Sequence, residues 1–136
     1  MLVIKQVYLA GGMTGLSFEE SNAWRNEVKN WIGDSCKLIN PNTYYNFECQ
    51  HHDSEQEVRN FDLHMVRESD FIIANFNSPQ SIGTAQELAV AYEYRIPVIG
   101  LNSEEKELHP WLVECCDKMF TEMSDLLDYV QFYYLG

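Results

Sequence analysis

The chain has 136 residues, of which 46% are hydrophobic and 13% aromatic, a composition that suits one folded domain and argues against disorder. Its formal net charge of −12 would repel polyanions, so neither nucleic acids nor anionic membrane surfaces are expected as partners. The N-terminus has no signal-peptide pattern, and no apolar run approaches the roughly 20 residues that span a bilayer. We therefore expect a cytoplasmic protein with a single domain over residues 1–136.

The cysteines indicate neither disulfides nor a metal centre. The four of them form no CxxC pair, so reduced thiols are expected. The segment Cys49-x-His51-His52 carries metal-ligand side chains, but no second ligand pair accompanies it at the spacing of a zinc site. The sequence therefore predicts no metal and no cofactor.

The first third of the chain predicts two strands around a helix. The apolar run from Val3 to Ala10 is typical of a strand and ends at a glycine pair. Ser17, with Glu20 three residues later, has the capping-box pattern that begins a helix. A short second strand follows at residues 37–39. The apolar face of the helix is predicted, from helical spacing, to comprise Trp24, Val28, Trp31 and Ile32.

The next segment lacks a clean period and then becomes helical. Residues 42–53 carry aromatic and histidine side chains and are predicted to form a loop, or a lid over a site. A second helix fits residues 54–69, with Asp62 on or beside its apolar face. A carboxylate in that position is costly unless it has a partner or a task. The apolar stripe of this helix comprises Val58, Phe61, Met65 and Val66.

A strand–loop–helix–strand unit follows, and it carries one well-placed acid. Residues 70–75 and 96–100 read as short buried strands, and the loop between them is rich in Ser, Pro and Gly. Glu87 falls in the first turns of the helix, just beyond the carboxyl end of the strand, where ligands bind in open α/β sheets. The residues predicted to face the sheet are Ala85, Leu88, Ala89 and Tyr92.

The alternation of strands and helices predicts the fold class. Residues 118–121 suggest a fifth strand, and Ser124 is expected to cap a last helix. We expect a three-layer α/β/α sandwich with five parallel strands in the order 2-1-3-4-5 and right-handed crossovers. The crevice then lies between strands one and three. The apolar residues of the last helix are Leu126, Leu127, Val130, Tyr133 and Tyr134.

Each candidate site residue also has an ordinary structural explanation. The glycine-rich turn at residues 11–15 lacks the dinucleotide fingerprint and the P-loop lysine, and by itself suggests a plain turn. Glu87 alone fits a surface acid of a helix, and His109 fits a loop residue. Asp62 is the least ordinary, and together with Glu87 and Asp70 it suits chemistry at the anomeric carbon of a sugar.

The ordered motifs resemble the nucleoside 2-deoxyribosyltransferase family over roughly residues 3–130. These motifs are Tyr8-Leu9-Ala10-Gly11-Gly12, Asp62-Leu63 followed by Ser69-Asp70, and Gly83-Thr84-Ala85-Gln86-Glu87-Leu88-Ala89-Val90-Ala91. The chain departs from the family where Ala89 replaces a frequent glycine and where the turn reads Gly-Gly instead of Gly-Pro.

The resemblance implies roles for individual residues. Glu87 would attack C1′ of a 2′-deoxynucleoside and form a covalent deoxyribosyl-enzyme, while Tyr8 orients it. Asp62 or Asp70 would protonate the leaving base, and the choice between them stays open. Substrate contacts would lie at Gly11, Gly12, Thr14, Ser81, Gly83 and His109. The expected partners are a deoxynucleoside, a free base and further copies of this chain in a homo-oligomer.

Further alternatives stay open at the level of the sequence, among them related cleavage of another nucleotide or an NAD-like ligand. A related branch of the superfamily hydrolyses deoxynucleoside 5′-monophosphates, and its phosphate contacts would correspond to Thr14, Gly15, Ser81 and His109. The net charge of −12 argues against an anionic substrate, although a local pocket can overrule it. A non-catalytic nucleotide-binding module is another alternative, and the retained Glu87 argues against it.

Overall fold

The computed structural model describes residues 4–13, 15–43 and 52–136. Within them, five strands form one fully parallel sheet in the order β2-β1-β3-β4-β5, as predicted. In the central pair, Tyr8 lies opposite Ile72 and Gly11 lies opposite Asn75. The strands are β1 Gln6–Gly11, β2 Lys37–Ile39, β3 Phe71–Asn75, β4 Val98–Leu101 and β5 Lys118–Phe120.

Helices cover both faces of the sheet, which confirms the three-layer sandwich. They are α1 Phe18–Ile32, α2 Glu55–Arg67, α3 Ile82–Glu93, α4 Pro110–Glu114 and α5 Met123–Val130, with a 3₁₀ turn at Pro41–Thr43 and a π-helical turn at Gln131–Leu135. Apolar side chains of α1 and α5 pack on one face of the sheet, and those of α2 and α3 pack on the other. No helix in the described parts of the chain is long and apolar enough to cross a membrane.

The alternation of side chains along β1 separates the two cores and positions one tyrosine. Val7 and Leu9 point towards α1 and α5. Tyr8 and Ala10 point towards α2 and α3, because successive side chains of a strand face opposite sides of a sheet. All four are almost completely buried, so the Tyr8 phenol lies inside the layer that α2 and α3 form over the sheet.

The predicted inward face of α3 is wrong by one residue. Tyr92 was expected on the sheet but is 64% exposed, and Ala85 and Ala89 are exposed as well. The apolar residues of α3 run almost around the helix, so their spacing does not select a face. The face that packs on the sheet comprises Thr84, Glu87, Leu88 and Ala91. The correction turns Glu87 from the margin of the helix to its buried side.

Other predicted details also differ. Trp31 is 47% exposed, because the buried face of α1 takes in Ser21 and Arg25 and leaves Trp31 at its margin. Tyr133 is exposed, and α5 begins at Met123 with Glu122 at its N-cap, so Ser124 is not the cap. β1 begins at Gln6, three residues later than expected. The short helix α4 was not predicted, and the predicted lid at residues 42–53 lies largely outside the described residues.

Candidate active site

A buried hydrogen bond joins the middle of β1 to the second turn of α3. The Tyr8 hydroxyl donates to Oε2 of Glu87. Tyr8 is fully buried and Glu87 is 8% exposed. The side chain of Ser81 caps α3 by accepting from the Thr84 N–H, at 3.2 Å, so the cap sets the start of the helix one and a half turns before Glu87. The parallel sheet and the capped helix therefore fix a carboxyl group at the crevice.

Burial changes the acidity of this carboxyl group. It raises the pKa of Glu87 from its ordinary 4.5 to about 8, because the charged form loses solvation. The Tyr8 hydrogen bond opposes the rise in pKa, the charge of Asp62 adds to it, and the charge of Arg25 opposes it. A strongly perturbed carboxyl with specific charged neighbours in a crevice is typical of a functional site.

Asp62 shares a cavity with Glu87. The cavity has a volume of about 290 Å³ and lies between α2 and α3. Asp62 is half-buried on α2, and its charge acts on the pKa of Glu87. The structure therefore brings together three of the four predicted catalytic residues. Gly83 lines the same cavity, and a methyl group added there would meet nothing nearer than Ser81 Oγ at 4.0 Å.

Asp70, the fourth predicted catalytic residue, lies elsewhere. It is exposed and immediately precedes β3, where its Oδ2 accepts from the Gln6 N–H at 2.8 Å. All strands run parallel, so the residue that precedes a strand lies at the sheet edge opposite the carboxyl ends. The expectation that Asp70 joins Glu87 is therefore corrected: its carboxylate fastens the start of β1 to the start of β3.

Arg25 is a buried cation near the acids that the sequence analysis missed. It is 1% exposed and donates to the backbone carbonyls of Ser21, Leu9 (3.3 and 3.4 Å) and Gly11 (3.2 Å). Burial lowers its pKa to about 10, so it remains protonated at neutral pH. Its position three residues before Val28 and four after Ser21, on the inward face of α1, was the signal that could have revealed it.

The glycine pair after β1 packs too closely for any larger residue. A methyl group on Gly11 would lie 2.8 Å from Cζ2 of Trp24, and one on Gly12 would collide with Ser78. Asn77, another residue that the sequence analysis missed, accepts from the Gly12 N–H at 3.0 Å and donates to the Gly12 carbonyl at 3.4 Å. The two loops at the crevice are thus joined directly, and Thr14, predicted beside them, lies outside the described residues.

Gly12, Ser81 and His109 line a second cavity, of about 880 Å³. Both polar side chains have local tasks. Ser81 caps α3, and His109 begins α4, where its Nδ1 accepts from the Trp111 N–H at 3.1 Å. The second cavity is also lined by Glu107, and none of the described residues that line it is Lys or Arg. Of the predicted substrate-binding residues, Gly12, Ser81 and His109 line the second cavity and Gly83 lines the first. Gly11 lines neither cavity and packs against Trp24 instead.

Among the described residues, no group of three or more His, Cys, Asp or Glu side chains is arranged to hold a metal ion. Cys49 and His51 lie outside those residues, so the segment Cys49-x-His51-His52 is not tested, and the expectation of no metal stays a prediction. Cys36, Cys115 and Cys116 are free thiols, and burial raises the pKa of each.

Solved structures of three proteins share this fold. The 2-deoxyribosyltransferase from Bacillus psychrosaccharolyticus is 17% identical, with a TM-score of 0.74, and the alignment covers 91% of each chain. The 2-deoxyribosyltransferase from Leishmania mexicana is 21% identical, with a TM-score of 0.71 over 96% of this chain and 99% of the other. The Clostridium botulinum CMP N-glycosidase BcmB is 16% identical, with a TM-score of 0.63 over 93% and 99%.

At these identities the structural likeness shows the fold, and the family follows from the sequence. No curated protein matches the chain significantly in a sequence search. The sequence model of the nucleoside 2-deoxyribosyltransferase family, by contrast, matches residues 7–128. That range includes Tyr8, Asp62 and Glu87, the three residues that the fold assembles at the first cavity. The chain belongs to the nucleoside 2-deoxyribosyltransferase family.

Proposed function

We propose that this protein cleaves the N-glycosidic bond of a 2′-deoxynucleoside and transfers the deoxyribosyl group to another base. The observation that carries the proposal is the buried Tyr8–Glu87 hydrogen bond beside Asp62. A carboxylate held by a phenol, with a second carboxyl group at the same cavity, suits a double displacement at an anomeric carbon. We further propose a cytoplasmic homo-oligomer that serves deoxynucleoside salvage.

The reaction uses Glu87 twice. Its ionised Oε attacks C1′, the C1′–N bond breaks, and its electron pair leaves with the base, which takes a proton from Asp62. A nitrogen of the incoming base then attacks C1′, the ester bond to Glu87 breaks, and the incoming base returns a proton to Asp62. We assign the proton transfer to Asp62 because Asp70 lies at the opposite edge of the sheet. Two displacements at C1′ retain its configuration.

Hydrolysis of a deoxynucleoside 5′-monophosphate is the second candidate. The cavity that Gly12, Ser81 and His109 line offers room for a phosphate beside the start of α3. Three features weigh against that anion: Glu107 in the lining, the lack of Lys or Arg among the lining residues that the structure describes, and the net charge of −12. A purely binding module is disfavoured, because a buried carboxyl such as Glu87 destabilises a fold that has no use for it.

Product analysis tests the proposal. The protein is incubated with deoxyinosine or deoxycytidine, with and without adenine, and the products are separated by chromatography. A new deoxynucleoside that forms only with the second base supports transfer. Free base released only from the monophosphate would select the hydrolase instead, and no turnover of any deoxynucleoside or its monophosphate would refute an enzymatic role.

A variant tests the assigned nucleophile. Glu87→Ala should abolish turnover while the fold is retained, because the proposed covalent intermediate forms on the Glu87 carboxylate. Circular dichroism controls for folding, and intact-protein mass spectrometry of the unmodified protein with deoxynucleoside should detect the added deoxyribosyl group. Near-normal activity of Glu87→Ala would contradict the assignment.

A further inference from the structure

The cavity that contains Glu87 has a second polar pair on its wall. Arg59 of α2 donates from Nε to Oε1 of Gln86 of α3, at 2.7 Å. Both residues line the cavity together with Asp62 and Glu87. Arg59 lies one turn before Asp62, and Gln86 directly precedes Glu87, so each helix contributes one member of the pair beside one acid. The function proposed above assigns no role to either residue.

The hydrogen bond between them fixes what this wall presents to a ligand. An arginine Nε–H can only donate, so Gln86 must turn its carbonyl oxygen towards Arg59. The Gln86 amide nitrogen and the two terminal nitrogens of Arg59 are then the remaining polar atoms of the pair, and all of them donate. Among the described residues that line the same cavity, the carboxyl groups of Asp62, Glu87 and Glu55 supply acceptor oxygens.

The rest of the cavity suits a flat ring. Val58 supplies an apolar side chain on α2, and Gly83 leaves the first turn of α3 bare. A volume of about 290 Å³ is at the lower end of the roughly 300–1,000 Å³ of ligand pockets. A ring bound here meets donors from the Arg59–Gln86 pair and acceptors from the acids.

We propose that Arg59 and Gln86 select nucleosides whose base carries a lactam edge, a ring carbonyl next to a ring N–H, over nucleosides of the amino bases. Hypoxanthine, guanine, uracil and thymine have this edge, and adenine and cytosine do not. The carbonyl accepts from the pair and the adjacent N–H donates to a carboxylate of the cavity. An amino group in place of the carbonyl sets donor against donor, so the base loses its hydrogen bond to the pair. This inference rests on the proposed function, because it assumes that the base enters this cavity.

Equilibrium binding tests the selection without any turnover. Deoxyinosine is compared with deoxyadenosine, and deoxyuridine with deoxycytidine, by calorimetry on the full-length Glu87→Gln protein. The lactam nucleoside of each pair should bind at least about tenfold more tightly than the amino nucleoside, as expected when they differ by one hydrogen bond to the protein. Adding Arg59→Leu or Gln86→Leu should bring the two affinities of each pair to within about threefold, chiefly by weakening the lactam nucleoside.

Control variants separate recognition from general damage. Arg67→Leu removes an arginine from the same helix that lies over the Tyr94 ring, outside this cavity, and should leave the selection intact. Arg59→Lys keeps the charge but loses the fork of donors, and should give an intermediate ratio. Thermal melts of all variants control for folding.

The outcomes also separate this inference from the proposed function. The inference is overturned if both members of each pair bind with equal affinity, or if the amino bases are preferred. It is also overturned if Arg59→Leu and Gln86→Leu leave the affinity ratio unchanged, or if none of the four nucleosides binds. If the unmodified protein, which retains Glu87, shows no turnover, only the proposed function is refuted, because the binding ratios of the Glu87→Gln protein remain measurable. If turnover occurs, the ratio of kcat/KM should follow the binding ratio.

Discussion

The environment of Glu87 combines burial with three specific neighbours. Burial disfavours its charged form, whereas a covalent displacement requires that form as the nucleophile. The Tyr8 hydroxyl and the Arg25 guanidinium both favour the ionised carboxylate, and Asp62 opposes it. The pKa of about 8 is the balance of these effects in the protein without substrate. The charge state of one side chain therefore depends on β1, α1 and α2 together.

The raised pKa of Glu87 predicts a pH-dependent effect of Glu87→Gln on stability. The folded-state pKa of about 8 lies above the ordinary 4.5, so the folded protein binds more protons than the unfolded chain between these values. Stability from this group is therefore complete below pH 4.5 and is lost as pH rises through 8. As pH rises across that window, the free energy of unfolding of Glu87→Gln should increase relative to that of the unmodified protein by on the order of 1 kcal/mol for each pH unit.

Urea unfolding at several pH values between 5 and 8.5 measures this difference. Glu93→Gln is the matched control, since it makes the same substitution at an exposed position at the end of the same helix. A Glu87→Gln difference that is constant with pH would show that Glu87 titrates with an ordinary pKa.

Gly83 offers a test of the cavity that separates stability from binding. Among the described residues, the nearest atom that a methyl group here meets beyond its chain neighbours and its own helix backbone is Ser81 Oγ, at 4.0 Å, and alanine favours a helix over glycine by up to about 1 kcal/mol. Gly83→Ala should therefore leave the thermal midpoint unchanged or raise it. Gly83 lines the cavity beside Glu87, so a methyl group there should narrow the cavity and raise KM for the deoxynucleoside roughly tenfold, a loss of about 1.4 kcal/mol of binding.

Kinetics and a thermal melt on one preparation of Gly83→Ala show whether the space at Gly83 serves ligand binding or the fold. A higher KM with a retained or higher melting temperature supports a ligand against this turn of α3. An unchanged KM would place the ligand elsewhere, and a lower melting temperature would mean that the space at Gly83 serves the fold.

The elements themselves were largely predictable from the sequence. Hydrophobic runs and turn residues located all five strands, and the Ser17–Glu20 pattern located the start of α1, where the Glu20 N–H donates to Ser17 Oγ at 3.0 Å. The orientation of α3 was not predictable, because apolar residues surround most of that helix. Its inward face was decided by the Tyr8–Glu87 hydrogen bond and by packing against β1 and β3, interactions between residues nearly 80 positions apart.

The same reasoning explains which candidate site residues the sequence indicated. Asp62 was singled out as a carboxylate on or beside an apolar helix face, Glu87 by its position just beyond the carboxyl end of a strand, and Tyr8 through the family resemblance. Asp70 was misplaced, because a residue next to a strand gives no sign of the sheet edge at which its side chain serves. Arg25 was missed because its partners are backbone carbonyls, which carry no side-chain pattern.

The N-cap of α3 permits a test that distinguishes the two candidate reactions. Ser81 Oγ caps the helix that carries Glu87, and aspartate caps a helix about as well as serine. Ser81→Asp should keep the stability and leave deoxynucleoside turnover within about twofold. Its negative charge should lower the affinity for a monophosphate bound beside it by tenfold or more, which corresponds to about 1.4 kcal/mol of repulsion.

Ser81→Ala is the matched variant for Ser81→Asp. It removes the cap without adding charge and should destabilise the protein by about 1 kcal/mol, measured by urea unfolding. If Ser81→Asp impairs deoxynucleoside and monophosphate equally, the side chain acts through the position of α3, and the proposed separation of the two cavities is wrong.

At the scale of the whole molecule, the sheet order determines where the crevice lies. The order β2-β1-β3-β4-β5 places the loops after β1 and β3 beside each other, and residues of both loops line the second cavity. The order followed from the alternation of elements and the right-handed crossover rule, so the location of the crevice was predictable. The contacts that join the two loops were not, because the close approach of Gly12 to Ser78 and the hydrogen bond from the Gly12 N–H to Asn77 leave no pattern in the sequence.

The net charge of −12 predicts how salt affects each candidate substrate. A neutral deoxynucleoside gains and loses nothing from long-range repulsion, so its kcat/KM should stay constant from about 0.02 to 0.5 M salt. A dianionic monophosphate is repelled by the protein as a whole, and shortening the Debye length from about 20 Å to about 4 Å over this range should raise its kcat/KM several-fold.

Initial rates with deoxyinosine and with its 5′-monophosphate measure the two salt dependences. Each series is run once with potassium chloride and once with potassium acetate, and agreement between the two salts excludes a specific anion effect. If the monophosphate is turned over with a kcat/KM that falls as salt rises, a local cation attracts the phosphate despite the acidic surface, and the hydrolase becomes the better description of this protein. If the deoxynucleoside rate is flat and exceeds that of the monophosphate at every salt concentration, the acidic surface acts as a filter that reserves the site for uncharged nucleosides.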